Sequence, residues 1–263
     1  MRPKILLLDE PHPKARAIME EVAECIPDSR LEHEDIPYQM IYTQLTPIET
    51  NVPVFCPCTG IDHVKAPKVI YLDEHWKQNE GQQVTSTAEH TMGLLLRLAK
   101  KLKIQLSGKT IGIIGMGRIG SMMYNYAKAF GMKIIIYDLS YDYNLSNSCI
   151  FEELLQESDV ITIHVPLYKD TINMIGWDEL KIVKSTCFLV NTSRQAVVNI
   201  EAVKWSLQNN KISGYADDFK DETDLTKYGA IQTNHVAGNS IEARQMTDEY
   251  IAKKVVQYIK DMV

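Results

Sequence analysis

Gly115-Met116-Gly117-Arg118-Ile119-Gly120 spaces three glycines as G-x-G-x-x-G directly after the apolar run Ile111-Gly112-Ile113-Ile114, and an amphipathic stretch follows. In that strand-turn-helix setting the first glycine makes a tight turn and the second lets a pyrophosphate approach the backbone. The third lets helix and strand pack closely. The helix N-terminus adds partial positive charge where the phosphates would sit. Asp138 ends the next apolar run, 18 residues after Gly120, where a carboxylate can accept ribose hydroxyls. Leu139-Ser140 follows it without an arginine to receive a 2′-phosphate, which favours NAD over NADP. Arg194 and His235 follow later apolar runs. An Arg fork can grip a carboxylate, and a His can exchange a proton near neutral pH. Taken singly, they could equally be a solvated arginine and a loop histidine bonded to backbone.

To present these groups together, the elements before them must end on one edge. Strands are expected at 110–115, 133–138, 160–164, 187–191 and 213–218, with helices at 118–130, 151–157, 177–183 and 200–208 between them. Gly131 stands where a left-handed helix cap is cheapest, and Asn199 can cap the helix that follows it. Short continuous apolar strands alternating with helices predict a doubly wound parallel sheet covered on both faces, with its chemistry at the strands' carboxyl ends. Upstream, 5–9 reads as a strand and 13–25 as a helix. The five prolines between Ile26 and Pro57 leave that stretch unassigned. Ser86-Thr87-Ala88-Glu89 has the spacing of a capping box opening an apolar helix. Trp76, Tyr71 and Met92 fit plain core better than a substrate pocket.

The 263 residues are 45% hydrophobic and 24% charged, an ordinary globular composition near the length at which one core gives way to two. With 28 basic against 34 acidic residues the net charge is -6, which argues against a general nucleic-acid binder. No apolar run approaches the roughly 18 residues of a membrane span. The N-terminal run Ile5-Leu6-Leu7-Leu8 is too short for an export signal. Five cysteines, odd in number and sparse, fit a reducing cytoplasm better than a disulfide framework. Cys56-Pro57-Cys58 lacks the second pair that a zinc site needs, so no metal is expected.

The residues also resemble a known family. Gly115 to Gly120 with Asp138, His164-Val165-Pro166-Leu167, Asn191-Thr192-Ser193-Arg194, Ala216-Asp217-Asp218-Phe219 and His235-Val236-Ala237-Gly238 follow the motif order of the D-isomer-specific 2-hydroxyacid dehydrogenases. Gly60-Ile61-Asp62-His63-Val64 and Ser86 to His90 extend the similarity upstream. The resemblance implies a Rossmann domain at 99–243 and a smaller α/β substrate domain at 1–98 plus 244–263. It implies NAD bound by Gly115, Gly117, Arg118, Ile119, Gly120, Asp138, His164, Pro166, Thr192, Ser193, Asp217 and Gly238. Thr59, Gly60 and Arg194 would hold a small 2-keto or 2-hydroxy acid, and His235 would exchange the proton. A carboxylate five residues after Asp217, Glu222, would orient the His235 ring and stabilise its cation. Asp221 and Asp224 flank it, and the run could be a solvated turn. A homodimer is the family's arrangement.

Three departures accompany the resemblance. The chain before Gly60 is short, only residues 101–107 stand where the family inserts a long arm, and Thr223 replaces the usual Pro after Glu222. They keep open a second reading, a non-catalytic NAD-binding regulatory or scaffolding module.

Overall fold

A computed structural model describes residues 2–30, 37–139, 147–220 and 222–262. The chain forms two compact units, Met1–Val84 with Ser240–Val263, and Thr85–Asn239.

In the first unit, β1 (Lys4–Leu7), β2 (Glu24–Pro27), β3 (Met40–Tyr42), β5 (Val54–Cys56) and β7 (Val69–Tyr71) form a parallel sheet in the order β2-β1-β3-β5-β7. The two-residue strands β4 (Ile48–Glu49) and β6 (Val64–Lys65) pair beside it. Helix α1 (Pro13–Glu20) packs on the long C-terminal helix, and α2 (Glu74–Gln78) buries Trp76. The stretch that the prolines obscured thus carries β3, β4 and β5. With two or three residues each they are too short to show a hydrophobic period. The helix expected over 13–25 stops at Glu20, because Cys25 and Ile26 are buried in β2.

The second unit opens with α3 (Ser86–Lys101) and continues β8 (Thr110–Ile114), α4 (Arg118–Ala129), β9 (Lys133–Tyr137), α5 (Phe151–Glu157), β10 (Val160–Ile163), α6 (Glu179–Ile182), β11 (Phe188–Asn191), α7 (Ile200–Gln208), β12 (Gly214–Asp217) and β13 (Ile231–Gln232). Its six strands are all parallel, in the order β13-β12-β11-β10-β8-β9. One face buries Ile111, Phe188, Val190 and Ala216 with α3 and α4, and the other buries Ile161, Leu189 and Tyr215 with α5, α6 and α7. This is the doubly wound sheet expected from the alternating pattern. Chain order reverses between β8 and β10, so the crevice outside their carboxyl ends is the switch point at which such sheets bind ligands.

Two local expectations are corrected. A division at 98/99 would cut α3, but its residues Ala88, Met92, Leu95 and Leu98 share the core of the second unit, so the helix belongs there whole. At the other end the first unit resumes at Ser240, and Ala243 is buried in its core through α8 (Ile241–Asp261). Nor does Ser86 cap α3. Its hydroxyl donates to Ala237 O at 2.8 Å, Thr85 holds the cap position, and Glu89 accepts from Thr85 Oγ1 at 2.6 Å. Asn199 does cap α7, accepting from Ala202 N at 3.0 Å, and Gly131 takes the left-handed conformation with φ 67°.

Packing at the Gly-rich turn separates the glycines. A Cβ on Gly120 would lie 2.0 Å from Gly115 O, whereas one on Gly117 would meet nothing within 4 Å. Gly120→Ala should therefore lower stability by roughly 1–3 kcal/mol or more. Gly117→Ala should change it by less than about 1 kcal/mol, near the Gly-to-Ala propensity difference. Urea melts of both variants check this, and equal losses would contradict it.

Candidate active site

The switch point is built from two strand ends that touch. Gly115 has φ +92°, and a Cβ there would lie 2.8 Å from the His164 carbonyl, so only glycine lets the turn after β8 close against the end of β10. No side chain caps the N-terminus of α4 at Gly117, which is itself exposed at the end of the turn. Arg118 and Ile119 are half-buried in the first turn. Asp138, just beyond β9, accepts from Met116 N at 2.6 Å and ties its carboxylate to the glycine turn. Ser140, part of the argument against a 2′-phosphate site, lies outside the described residues. His164 is half-buried, with Nε2 2.8 Å from Thr162 Oγ1. Desolvation pushes its pKa down to about 3, so it is neutral at physiological pH. Pro166 is exposed, and its carbonyl accepts from Thr171 Oγ1 at 2.7 Å.

After β11 the buried Asn191 shapes the turn that carries Arg194. Its Oδ1 accepts from Ser193 N at 3.0 Å and Ser193 Oγ at 2.8 Å, and its Nδ2 donates to Arg194 O at 2.9 Å. Thr192 Oγ1 lies 2.6 Å from Thr91 Oγ1 of α3. The half-buried Arg194 places Nη1 on Ser193 O at 2.8 Å.

The end of β12 presents two buried carboxylates, Asp217 and Asp218. Asp217 Oδ1 accepts from Gln232 Nε2 at 2.8 Å and Phe219 N at 3.2 Å. Its buried Oδ2 makes no hydrogen bond of acceptable geometry among the described residues. Burial pushes the carboxyl up to about pKa 6, outweighing the bonds from Gln232 and Phe219 N. The Asp218 carbonyl accepts from His235 N at 2.8 Å. His235 is half-buried with φ 50°, and its ring stands edge-on to Phe219 with centroids 5.5 Å apart. Gly238, the last residue but one of the second unit, is exposed.

The acidic turn is better anchored than the missing Pro suggests. Glu222 N and Thr223 N both donate to Phe219 O at 3.1 Å. Gln232 Nε2 also donates to Thr223 O at 2.9 Å, and Gln232 Oε1 accepts from Leu225 N. Glu222 is exposed on this turn. Asp224 is committed locally, accepting from Thr226 N at 2.9 Å and from Thr226 Oγ1 at 2.5 Å. Asp221 lies outside the described residues.

The second unit therefore collects the Gly115 turn, Asp138, His164, Thr192, Ser193, Arg194, Asp217 and His235 at the carboxyl ends of one sheet. Thr59 and Gly60 belong to the first unit, in the loop after β5, where Cys58 O accepts from Leu72 N at 3.1 Å. Trp76 is buried in the core of the first unit and Met92 in that of the second. Sequence reasoning missed Gln232 and assigned no role to Asp218. The signal available for Asp218 was a second acid directly after an apolar strand.

These groups fit a dinucleotide. The glycine turn leaves backbone exposed at a helix N-terminus, and Asp217 Oδ2 is a buried acceptor that a carboxamide N–H could satisfy. The sequence model described as "D-isomer specific 2-hydroxyacid dehydrogenase, NAD binding domain" matches residues 68–237. The chain is 30% identical over 236 residues to a glyoxylate reductase of Thermofilum pendens, spanning 76% of this chain and 70% of that one. It is 40% identical over 166 residues to a glyoxylate reductase of Thermococcus litoralis, spanning 59% of this chain and 50% of that one. Among solved structures, the NAD-dependent formate dehydrogenase of Staphylococcus aureus in complex with NAD has the same fold. Its TM-score is 0.79 at 23% identity, over 97% of this chain and 95% of that one. No helix among the described residues is long and apolar enough to cross a membrane.

Two measurements follow from the strand ends. NADH should bind more tightly than NADPH, and Asp138→Ala should weaken NADH selectively; equal or tighter NADPH binding by fluorescence titration would contradict this. Asp217 holds its proton more tightly folded than unfolded, so the cost of burying its charge is absent below about pH 4 and complete above about pH 6. Relative to the parent chain, Asp217→Asn should thus gain on the order of 2–3 kcal/mol on going from pH 4 to pH 8. Denaturant melts at the two pH values read this directly.

Proposed function

The chain belongs to the D-isomer-specific 2-hydroxyacid dehydrogenase family, and from that premise we propose that it reduces a small, unbranched 2-keto acid to the D-2-hydroxy acid, with Arg194 holding the substrate and His235 supplying the proton. Membership makes it an NAD-dependent oxidoreductase acting between 2-keto and 2-hydroxy acids. The observation that carries the assignment of roles is the placement of Arg194, Asp217 and His235 at or just beyond the carboxyl ends of three adjacent strands, β11, β12 and β13. The names of the similar relatives support glyoxylate as substrate through the glyoxylate reductases, and hydroxypyruvate through a glycerate dehydrogenase.

Bound NADH supplies the hydride that reaches the keto carbon. The chain's residues do the rest. The glycine turn and Asp138 would hold the adenosine and pyrophosphate portion, and Asp217 Oδ2 would accept from the carboxamide. Thr192, Ser193, His164, Pro166 and Gly238 would complete the cofactor's surroundings. Arg194 grips the substrate carboxylate and polarises the keto oxygen. As negative charge grows on that oxygen, His235 donates its proton, and it takes the proton back in the oxidative direction. Glu222 stabilises the His235 cation. Thr59 and Gly60 keep their assignment to the substrate on sequence alone. A homodimer and a cytoplasmic location complete the proposal, supported respectively by the family's usual assembly and by the five free cysteines.

NADH oxidation with glyoxylate, hydroxypyruvate, pyruvate and phenylpyruvate tests the function, with highest kcat/KM expected for the two smallest or most polar acids. A scaffolding module would instead bind NADH and turn over none of them. His235→Gln should lower kcat by a factor on the order of 10² to 10⁴ with NADH binding intact. Arg194→Ala should also raise KM for the keto acid. Full activity in either variant would place that role on another residue.

A further inference from the structure

The side chain of Asp218 has no place in the mechanism above, yet it is the hub of the loop that carries His235. Oδ1 accepts from Thr233 Oγ1 and from Val236 N at 3.0 Å, and Oδ2 accepts from Ala237 N at 2.7 Å. With His235 N on the Asp218 carbonyl at 2.8 Å, one buried residue holds positions 233, 235, 236 and 237. We propose that Asp218 is the positioning residue for His235: its carboxylate clamps the left-handed loop that presents the ring to the substrate. This rests on the reading of His235 as the proton donor.

The loop needs such a clamp. A non-glycine residue at φ 50° is disfavoured by about 1–2 kcal/mol, and His235 keeps that conformation only if its neighbours determine it. Ala237 is buried, so its amide without an acceptor would cost about 1–3 kcal/mol. An ionised carboxylate fits the task because it accepts only, and here every atom facing it is a donor. Asn at this position would turn an NH2 group toward one of those donors. Anchors from α3 complete the clamp. Ser86 Oγ donates to Ala237 O at 2.8 Å, and His90 Nε2 lies 2.9 Å from Thr233 Oγ1 and 3.6 Å from Asp218 Oδ1.

The neighbouring carboxylate makes the role separable. Asp217 and Asp218 are consecutive, and their side chains serve different partners: Asp217 bonds Phe219 N and Gln232, while Asp218 bonds the 233–237 loop. Loss of the Asp218 carboxylate should therefore impair proton delivery and leave cofactor binding alone. Misplacing a reacting group by about 1 Å can lower a rate on the order of 10²-fold.

The test uses the full chain with NADH and glyoxylate, comparing His235→Gln, Asp218→Asn, Thr233→Val and the double variant Asp218→Asn/His235→Gln. Asp218→Asn should lower kcat by about 10- to 100-fold per NADH site, with the Kd for NADH unchanged. Thr233→Val, which removes one donor and keeps the shape, should lower it by about 2- to 10-fold. In the His235→Gln background Asp218→Asn should cause no further loss, because the proton it helps to deliver is already gone. A merely structural role would instead lower NADH sites and rate together and act equally in both backgrounds, and that result overturns the proposal. Wild-type kcat in Asp218→Asn and Thr233→Val alongside an impaired His235→Gln overturns it too, with the proton donor left in place. An unimpaired His235→Gln removes the donor assignment and the positioning role with it. If Asp218→Asn does not fold, Thr233→Val alone and in the His235→Gln background decides by the same criteria.

Discussion

All six strands of the second sheet run the same way, and everything chemical in that unit depends on this. Parallel strands send every polar turn that follows a strand to one edge, so residues far apart in sequence gather without any long-range signal between them. The central strands are largely apolar and buried: β10, β11 and β12 expose none of their residues. Their charged and amide side chains begin only at the last residue or just after it. Asn191 and Asp217 are the final residues of β11 and β12, and both are buried.

A buried polar group must find partners, and that requirement shapes the loops. Asn191 satisfies itself on Ser193 and on the Arg194 carbonyl, which forms the turn under the guanidinium. Asp218 satisfies itself on the amides of Val236 and Ala237, which forms the loop under the imidazole. Asp217 is the exception. It keeps one oxygen without a good hydrogen bond, and desolvation, with a smaller contribution from the Asp218 charge, raises its pKa to about 6. An incompletely satisfied acid beside the ligand crevice is costly to the free protein and favourable for a ligand that brings a donor. Gln232 links these features, bonding Asp217 on one side and the Thr223 carbonyl on the other, and so substitutes for the conformational restraint that a Pro would give the Glu222 turn.

The sequence made the second unit legible because its elements are long enough to show their period. Helices α5 and α7 begin and end where the pattern places them, and β8, the glycine turn and α4 form the expected strand-turn-helix. Strands of two or three residues in the first unit carry no period, and Pro27, Pro37, Pro47, Pro53 and Pro57 broke what pattern there was. The unit boundary was misplaced because the apolar face of α3 looks the same whichever sheet it covers. Side-chain bonding was the least legible level. Ser86 matches a capping box in spacing, but its hydroxyl goes to Ala237, 151 residues away. For the same reason Gln232 was missed and Asp218 read only as part of a motif: their roles lie in hydrogen bonds to distant backbone.

The most direct test of direct hydride transfer at this strand edge follows the hydrogen itself. Reduction of hydroxypyruvate with NADH deuterated at the transferred position of C4, analysed by NMR and chiral chromatography, should give D-glycerate carrying one deuterium at C2. Unlabelled product, or the L isomer, would contradict direct transfer to a keto acid held by Arg194 and protonated by His235.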